Sequence, residues 1–243
     1  EEGDVLRRYC HVGTGNYNPK TARFYDDLGI LSSEPELGED LSRLFNELSG
    51  HSAKHDYSRI LVAPHSLRKG LLFRIKRETK NHLEGKTAWI RLKLNSLLDE
   101  EIIAALYEAA NAGVKIEIIV RGICALQFST QAQRENIKVR SILGRFLEHS
   151  RIYYFKNDGA EEYYIGSADV MQRNLDRRVE ALVRIDAEKH KDRLRHILDD
   201  SVSENYSTWS LLDDNQWQRK ARDFDGNLLV NFQDHFVEKH NRA

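Results

Sequence analysis

Cysteine is nearly absent from this sequence: Cys10 and Cys124 are the two among 243 residues, far apart and in no C-x-x-C pair. That scarcity excludes a disulfide framework and a zinc ribbon, and leaves two reduced, buried thiols in a cytosolic protein as the expectation. No apolar run approaches the roughly 18 residues needed to span a bilayer, and Glu1-Glu2-Gly3-Asp4 has no signal-peptide pattern. Charge of one sign is also missing, since 37 Lys and Arg stand against 38 Asp and Glu. So even a balance excludes the general basic character of a histone-like or non-specific nucleic-acid binder, but not a local anion site. Methionine is confined to Met171 and the first residue is Glu1, so the chain is expected to be an excised piece of something longer. The remaining composition, 31% charged and 40% hydrophobic, is that of a soluble globular protein and argues against disorder, collagen or a coiled coil.

Val5–His11 reads as a short strand ending in the turn Gly13-Thr14-Gly15-Asn16. A polar stretch at Ser32–Asp40 precedes Leu41, Leu44, Phe45 and Leu48, which recur at helical spacing until Ser49-Gly50 stops them. His51–Ser58 reads as a linker, Arg59–Ala63 as a buried strand, and Leu67, Leu71, Leu72, Ile75 and Thr79 as one face of a long basic helix. The basic residues of that helix, Arg68 to Lys80, are expected on its solvated face. Ala88–Leu94 and Val114–Val120 are predicted strands around a helix, Glu100–Ala112, capped by Asp99 and ended by Gly113. Strand and helix in alternation imply crossover units and a sheet with parallel parts. Gly122–Glu135 reads as a loop and Ile137–Ile142 as a strand. Arg151–Phe155 and Glu162–Ile165 read as strands joined at Asn157-Asp158-Gly159. Arg177–Ile185 is a further strand and Glu188–Ser201 a helix. The polar tail from Asn205 is expected to wrap the domain or fray.

The most informative motif is an internal echo. Gly13-Thr14-Gly15-Asn16 and Gly166-Ser167-Ala168-Asp169 share a small–hydroxyl–small–amide/acid pattern 153 positions apart, and at the same offset Lys20 meets Arg173 and Asp27 meets Glu180. Two related half-sites, each a strand followed by a turn, would produce it. Upstream of the second copy stands His149-Ser150-Arg151, 17 positions before Gly166. A histidine with a basic residue two positions on, followed by a Gly-Ser turn, suits phosphoryl transfer. The imidazole can attack phosphorus or protonate a leaving oxygen, while the cation and hydroxyl neutralise phosphate oxygens. A histidine capping a helix or satisfying a core hydrogen bond is the alternative, weighed down here by the charged neighbours Arg145, Glu148 and Arg151. Arg121 ends a predicted strand, where α/β sheets bind ligands and a guanidinium forks to phosphate. Arg173, Arg177 and Arg178 around Asn174 form a cluster suited to polyphosphate groups. Tyr25 could stack on a base or sit in the core. By the spacing of the second copy, the first copy's histidine pair falls before residue 1, so the first half-site is expected to be truncated.

These residues carry a resemblance. Arg8-Tyr9-Cys10-His11-Val12-Gly13-Thr14-Gly15-Asn16-Tyr17-Asn18 with Lys20-Thr21-Ala22-Arg23, Val120-Arg121-Gly122-Ile123-Cys124, Ser141 through Arg151, and Gly166-Ser167-Ala168-Asp169 with Met171 and Arg173-Asn174-Leu175-Asp176 resemble bacterial polyphosphate kinases of the long, histidine-phosphorylating type. The resemblance runs from about Arg7 to Ile185. It implies an α/β fold: a phospholipase D-like mixed sheet flanked by helices. Residues 1–50 would be the tail of a first catalytic half and 51–243 the second half, with the nucleotide and polyphosphate site. The implied activity is reversible transfer of the terminal phosphate of ATP to polyphosphate through a phosphohistidine. The phosphorylated histidine belongs to a Leu-Lys-x-His-x-Lys motif that these residues do not contain.

The resemblance further implies ATP contacts at Tyr25, Arg121 and His149, phosphate contacts at Arg173 and Arg178, and a second active-site role for His149 in proton movement or charge stabilisation. His11, Asn16, Ser167 and Asp169 would support the site. Magnesium is implied with ATP, on residues outside this chain. ATP or ADP and polyphosphate are the implied partners, with no nucleic acid. A homo-oligomer of the full-length protein and a cytoplasmic location, with peripheral contact to the inner membrane, are implied too. The alternatives left open are a phosphodiesterase or nuclease of the phospholipase D superfamily, which needs two His-x-Lys motifs, and a non-catalytic polyanion-binding domain. The isolated chain is expected to be inactive.

Overall fold

A computed structural model describes residues 7–51 and 56–241. The start of the Val5–His11 strand and positions 52–55 of the expected linker lie outside the described residues. The elements in order are β1 Cys10–Gly13, β2 Tyr25–Asp26, β3 Gly29–Ser32, α1 Pro35–Leu48, β4 Ile60–Ala63, α2 Leu67–Leu83, β5 Trp89–Leu94 and α3 Glu100–Asn111. There follow β6 Lys115–Val120, α4 Gln131–Asn136, β7 Ile137–Ser141, β8 Leu147–Glu148, β9 Ile152–Phe155, β10 Glu162–Gly166, α5 Gln172–Asp176 and β11 Glu180–Ile185. The last are α6 Glu188–Val202, β12 Tyr206–Leu211, β13 Trp217–Lys220, β14 Val230–Asn231 and α7 Phe232–Asn241.

One mixed sheet runs β13-β12-β7-β6-β5-β9-β10-β11-β4, with β14 beside β12. β5, β6 and β7 are parallel, as crossovers through α3 and α4 require, while β9, β10, β11 and β4 continue as antiparallel neighbours. The α/β class expected from the sequence, a mixed sheet flanked by helices, is the architecture observed. Both faces are covered. Ile90, Leu92 and Leu94 pack with Leu67, Leu71 and Ile75 of α2 and with Ile102 and Leu106 of α3. On the other face Ile119, Ile152, Tyr163 and Val183 meet Leu37 and Leu44 of α1, Leu194 and Leu198 of α6, and Phe232 of α7. The alternation of β5 therefore puts Arg91 and Lys93 under helices rather than in water, each 2% exposed. Arg91 is held by Glu117 at 2.8 Å and Asp199 at 2.6 Å.

The echo is structural. Thr14 N–H donates to Leu28 O while Leu28 N–H donates to the Thr14 hydroxyl, and Ser167 and Ala181 repeat the same reciprocal pair 153 positions on. Gly13 faces Gly29 in register as Gly166 faces Leu182, and α1 recurs as α6 at the same offset. A Cβ on Gly166 would lie 1.9 Å from the Ala181 carbonyl, so only glycine admits this approach.

Several expectations are corrected. The loop Gly122–Glu135 contains the start of α4, because Thr130 and Gln133 form a reciprocal capping box that fixes a short helix without an apolar stripe. α1 begins at Pro35, inside the stretch read as polar, because proline at the first helical position needs no N–H partner. The strand read from Arg177 starts at Glu180. The tail after Asn205 neither frays nor merely wraps: β12 joins the sheet against β7, pairing Trp209 with Ser141. Backbone pairing at an edge leaves little apolar pattern to read. The basic helix is only partly a solvated face, since Arg68 pairs with Asp99 and Asp176, and Arg74 and Arg77 both grip Glu162. Cys10 and Cys124 are free thiols but only partly buried.

Candidate active site

The carboxyl ends of β5, β6 and β10 and the amino ends of β9 and β11 share one edge of the sheet, and their loops are tied together there. Leu97 N–H donates to Ile123 O, Leu98 N–H to Val170 O, and Val170 N–H to Ser96 O. Gly122 lets its backbone close on Asn95, whose carbonyl would sit 2.7 Å from a Cβ at that position.

Arg151, placed just before β9 and 5% exposed, is the hub of this edge. Its guanidinium pairs with Asp169, Nη2 to Oδ2 at 2.8 Å and Nε to Oδ1 at 3.3 Å. Asp169 Oδ1 also accepts from the backbone N–H groups of Asn95 at 2.7 Å and Ser96 at 3.3 Å. Arg151 Nη1 reaches Thr14 O at 2.9 Å, the His149 carbonyl at 2.9 Å and His149 Nδ1 at 2.6 Å. The first repeat thus supplies a carbonyl, that of buried Thr14, on which the second repeat's histidine and arginine converge; His149 Nδ1 is 3.0 Å from it.

Nδ1 thus stands between Arg151 Nη1 at 2.6 Å, which can only donate, and Thr14 O at 3.0 Å, which can only accept. Accepting from Arg151 leaves the ring's own proton on Nε2, whereas donating to Thr14 O keeps it on Nδ1. Burial, then the charges of Arg151 and Arg121, push the imidazole pKa below its usual value, against the contact with Thr14 that raises it. His149 is therefore a neutral ring at pH 7. Tyr25 stacks flat on it, centroids 4.5 Å apart and planes 7° off parallel. The short parallel pair β2–β8 sets this stack, with the His149 N–H donating to Asp26 O at 2.8 Å.

Arg121 follows β6 as expected, with Nε donating to Asn95 Oδ1 at 3.3 Å. Burial and the neighbouring Arg151 charge lower its pKa. Two guanidiniums that disfavour one another at a half-open edge suit an anion between them.

The remaining expected residues stand apart. Ser167 accepts from Ala181 N–H at 3.3 Å and so shapes the turn rather than facing Arg151. Asn16 is exposed and accepts from Asn18 N–H at 3.1 Å, while exposed His11 bonds the Tyr17 hydroxyl. Arg173 and Arg178 are exposed on and after α5, Arg178 lying 3.9 Å from Glu180. Among the described residues none of these five side chains joins the Arg151–His149–Asp169 bonds.

Sequence reasoning missed Lys93, Asn95 and Gln233. Lys93 and Glu148 form an ion pair beneath His149, 2% and 3% exposed. The signal for Lys93 was its place in an alternating strand, which is read as solvent-facing when the covering helix is unseen. Beside this pair the Asp26 carboxyl is pushed up to about 6 by burial and by Glu148, against Lys93. Unfolding returns it to 3.8, so the native chain holds a proton that the unfolded chain releases. Stability from this group is present below about pH 4 and is lost as pH rises to about 6. Asp26→Asn is expected to gain roughly 1–3 kcal/mol on the wild type over that window, in urea unfolding at stepped pH. A constant difference between the two chains would refute the shift.

Asp169, with both oxygens taken by Arg151 and backbone amides, offers no free pair for a cation. Among the described residues no group of three or more His, Cys, Asp or Glu could hold a metal ion. Among the described residues no helix is long and apolar enough to cross a membrane.

Comparison with known proteins gives matches along the whole chain. The family model described as polyphosphate kinase C-terminal domain 1 matches residues 1–54, and that for C-terminal domain 2 matches 60–231. A polyphosphate kinase of Streptomyces coelicolor is 51% identical over 242 residues, covering 100% of this chain and 32% of the relative. One of Mycobacterium avium is 48% identical over 239 residues, covering 98% of this chain and 32% of the relative. The crystal structure of polyphosphate kinase from Porphyromonas gingivalis superposes with TM-score 0.89 at 32% identity, over 100% of this chain and 38% of that one. The chain thus spans about a third of the length of the curated relatives it matches.

Proposed function

This chain belongs to the polyphosphate kinase family, in the part described as C-terminal domains 1 and 2, and from that premise we propose that it supplies the nucleotide and phosphate-holding half of an ATP:polyphosphate phosphotransferase. The observation that carries the reading is the convergence of Arg121, Arg151 and the ring of His149 on one edge. Phosphoryl transfer asks chiefly for positioning and for charge to meet the charge that develops on phosphate oxygens. Arg121 holds the phosphate chain of ATP, and Tyr25 sets the nucleotide beside the imidazole it stacks on. Neutral His149 donates from Nε2 to an oxygen whose charge grows as the terminal phosphoryl leaves, while Arg151 keeps its ring in place. The acceptor in that step is a histidine of the intact protein, from which the phosphoryl passes to polyphosphate. Arg173 and Arg178, exposed beyond the Gly166 turn, guide the polyanion toward the edge. His11, Asn16, Ser167 and Asp169 act by shaping the turns and holding Arg151. Magnesium enters as part of the ATP substrate. Residues 1–50 and 51–243 are the tail of one catalytic half and the whole of the second, working as a homo-oligomer in the cytoplasm with peripheral contact to the inner membrane.

Calorimetric titration tests this. ATP and polyphosphate are expected to bind the chain in competition, with Arg121→Ala weakening ATP about tenfold or more, the effect of one lost charged hydrogen bond. The chain alone is expected to give no ATP–polyphosphate exchange. Full exchange by the chain, or hydrolysis of a phosphodiester with no ATP binding, would overturn the assignment.

A further inference from the structure

β8 is two residues long, yet it carries Glu148 and leads directly into His149. Besides its pairing with β2, so short a strand is held by one side chain from the far end of the sequence. Gln233, at the second position of α7 and 2% exposed, docks on it through its amide. Oε1 accepts from Phe146 N–H at 2.6 Å, while Nε2 donates to Phe146 O at 2.8 Å and to Glu148 Oε1 at 2.8 Å. All the hydrogens of that amide are spent on the segment 146–148, which it pairs as a neighbouring strand would. The other Glu148 oxygen is held by Lys93. Gln233 is itself anchored: its N–H donates to Asn231 Oδ1 at 2.9 Å, and Asn231 pairs with Ser207 in the sheet. Phe232 beside it is buried in the core at 1% exposure.

We propose that Gln233 is a positioning residue for His149, and that the C-terminal helix α7 is a clasp holding the catalytic loop in register with Tyr25 and Thr14. The proposal rests on the reading of His149 as part of the phosphotransfer site. The amide and Lys93 hold the two oxygens of Glu148 between them.

The test uses the full-length protein. Gln233→Met keeps the bulk and removes all three hydrogen bonds; Gln233→Ala removes the bulk as well. Both are expected to lower kcat for polyphosphate synthesis by about 10–100-fold, the scale of a displacement near 1 Å. KM for ATP should stay within about threefold, because Arg121 is held by Asn95, which Gln233 does not touch. Ile75→Val, buried in α2 in the other core and away from the clasp, serves as control, expected to lower the Tm as much as Gln233→Met while leaving kcat unchanged. Equal kcat loss in that control would reduce the effect to a general loss of stability and overturn the proposal. Wild-type kcat in Gln233→Met, with His149→Ala inactive, would overturn it and leave the site reading standing. Wild-type kcat in His149→Ala would overturn that reading itself.

Discussion

His149→Ala in the intact protein is expected to lower the rate of phosphate transfer from ATP to polyphosphate by about 10²–10⁴-fold, the range of a lost general acid or charge stabiliser. Loss of the ring should cost little stability. His149 is only half-buried, and Arg151 remains fixed by both oxygens of Asp169 and by the Thr14 carbonyl. The rate loss and the Tm therefore separate: activity falls while the melting temperature moves by only a few degrees. His149→Gln sharpens the test. A glutamine amide can restore one N–H donor without the ring that stacks on Tyr25, and part of the rate should return if donation from Nε2 is what matters. The check is the initial rate of terminal-phosphate incorporation at saturating ATP. A near-normal rate in His149→Ala would remove the histidine from the mechanism.

Arg151→Met should produce the largest loss of stability. It leaves the Asp169 carboxylate buried with only two backbone N–H partners, and removes the donors to the Thr14 and His149 carbonyls. Breaking one side of a buried pair costs about 3–5 kcal/mol. Arg151→Lys keeps the charge but not the fork that meets Asp169 twice, so it should recover only part of that loss. The double variant Arg151→Met with Asp169→Asn should be less unstable than the sum of the singles. The asparagine oxygen still accepts from Asn95 N–H and brings no charge to strand. Urea unfolding measures all four chains. Strict additivity, or a cost under about 1 kcal/mol for Arg151→Met, would show that the arginine is not the hub drawn from its contacts.

Much of the site could be read one residue at a time. Arg121 stands after an apolar β-branched run, and its position at a strand's carboxyl end follows from that run alone. The repeat Gly13-Thr14 and Gly166-Ser167 was visible as four letters and an offset, and the same offset reappears in hydrogen-bond register and in a pair of helices. Asp99 caps α3 as its place predicts, accepting from Ile102 N–H at 3.2 Å. Each of these features is local: a run, a turn or a cap whose physics is complete within a few residues.

What failed to show in the sequence involves partners that meet only in space. Lys93 reads as a solvent residue on an alternating strand until the covering elements bury it against Glu148. Gln233 lies in a tail with weak periodicity and gains its meaning from Phe146, 87 residues earlier. Thr14 was chosen for a hydroxyl, yet its hydroxyl shapes a turn while its carbonyl receives His149 and Arg151 from more than 130 residues away. The sequence by itself determined the class of fold and the repeat, because periodicity and short motifs are set by neighbouring residues. The tertiary structure alone decided the contacts of the ring, the burial of the Lys93–Glu148 pair and the docking of Gln233 on the segment before it. Those depend on which distant groups share a dry interior, where one unpaired charge costs more than any local preference can offset.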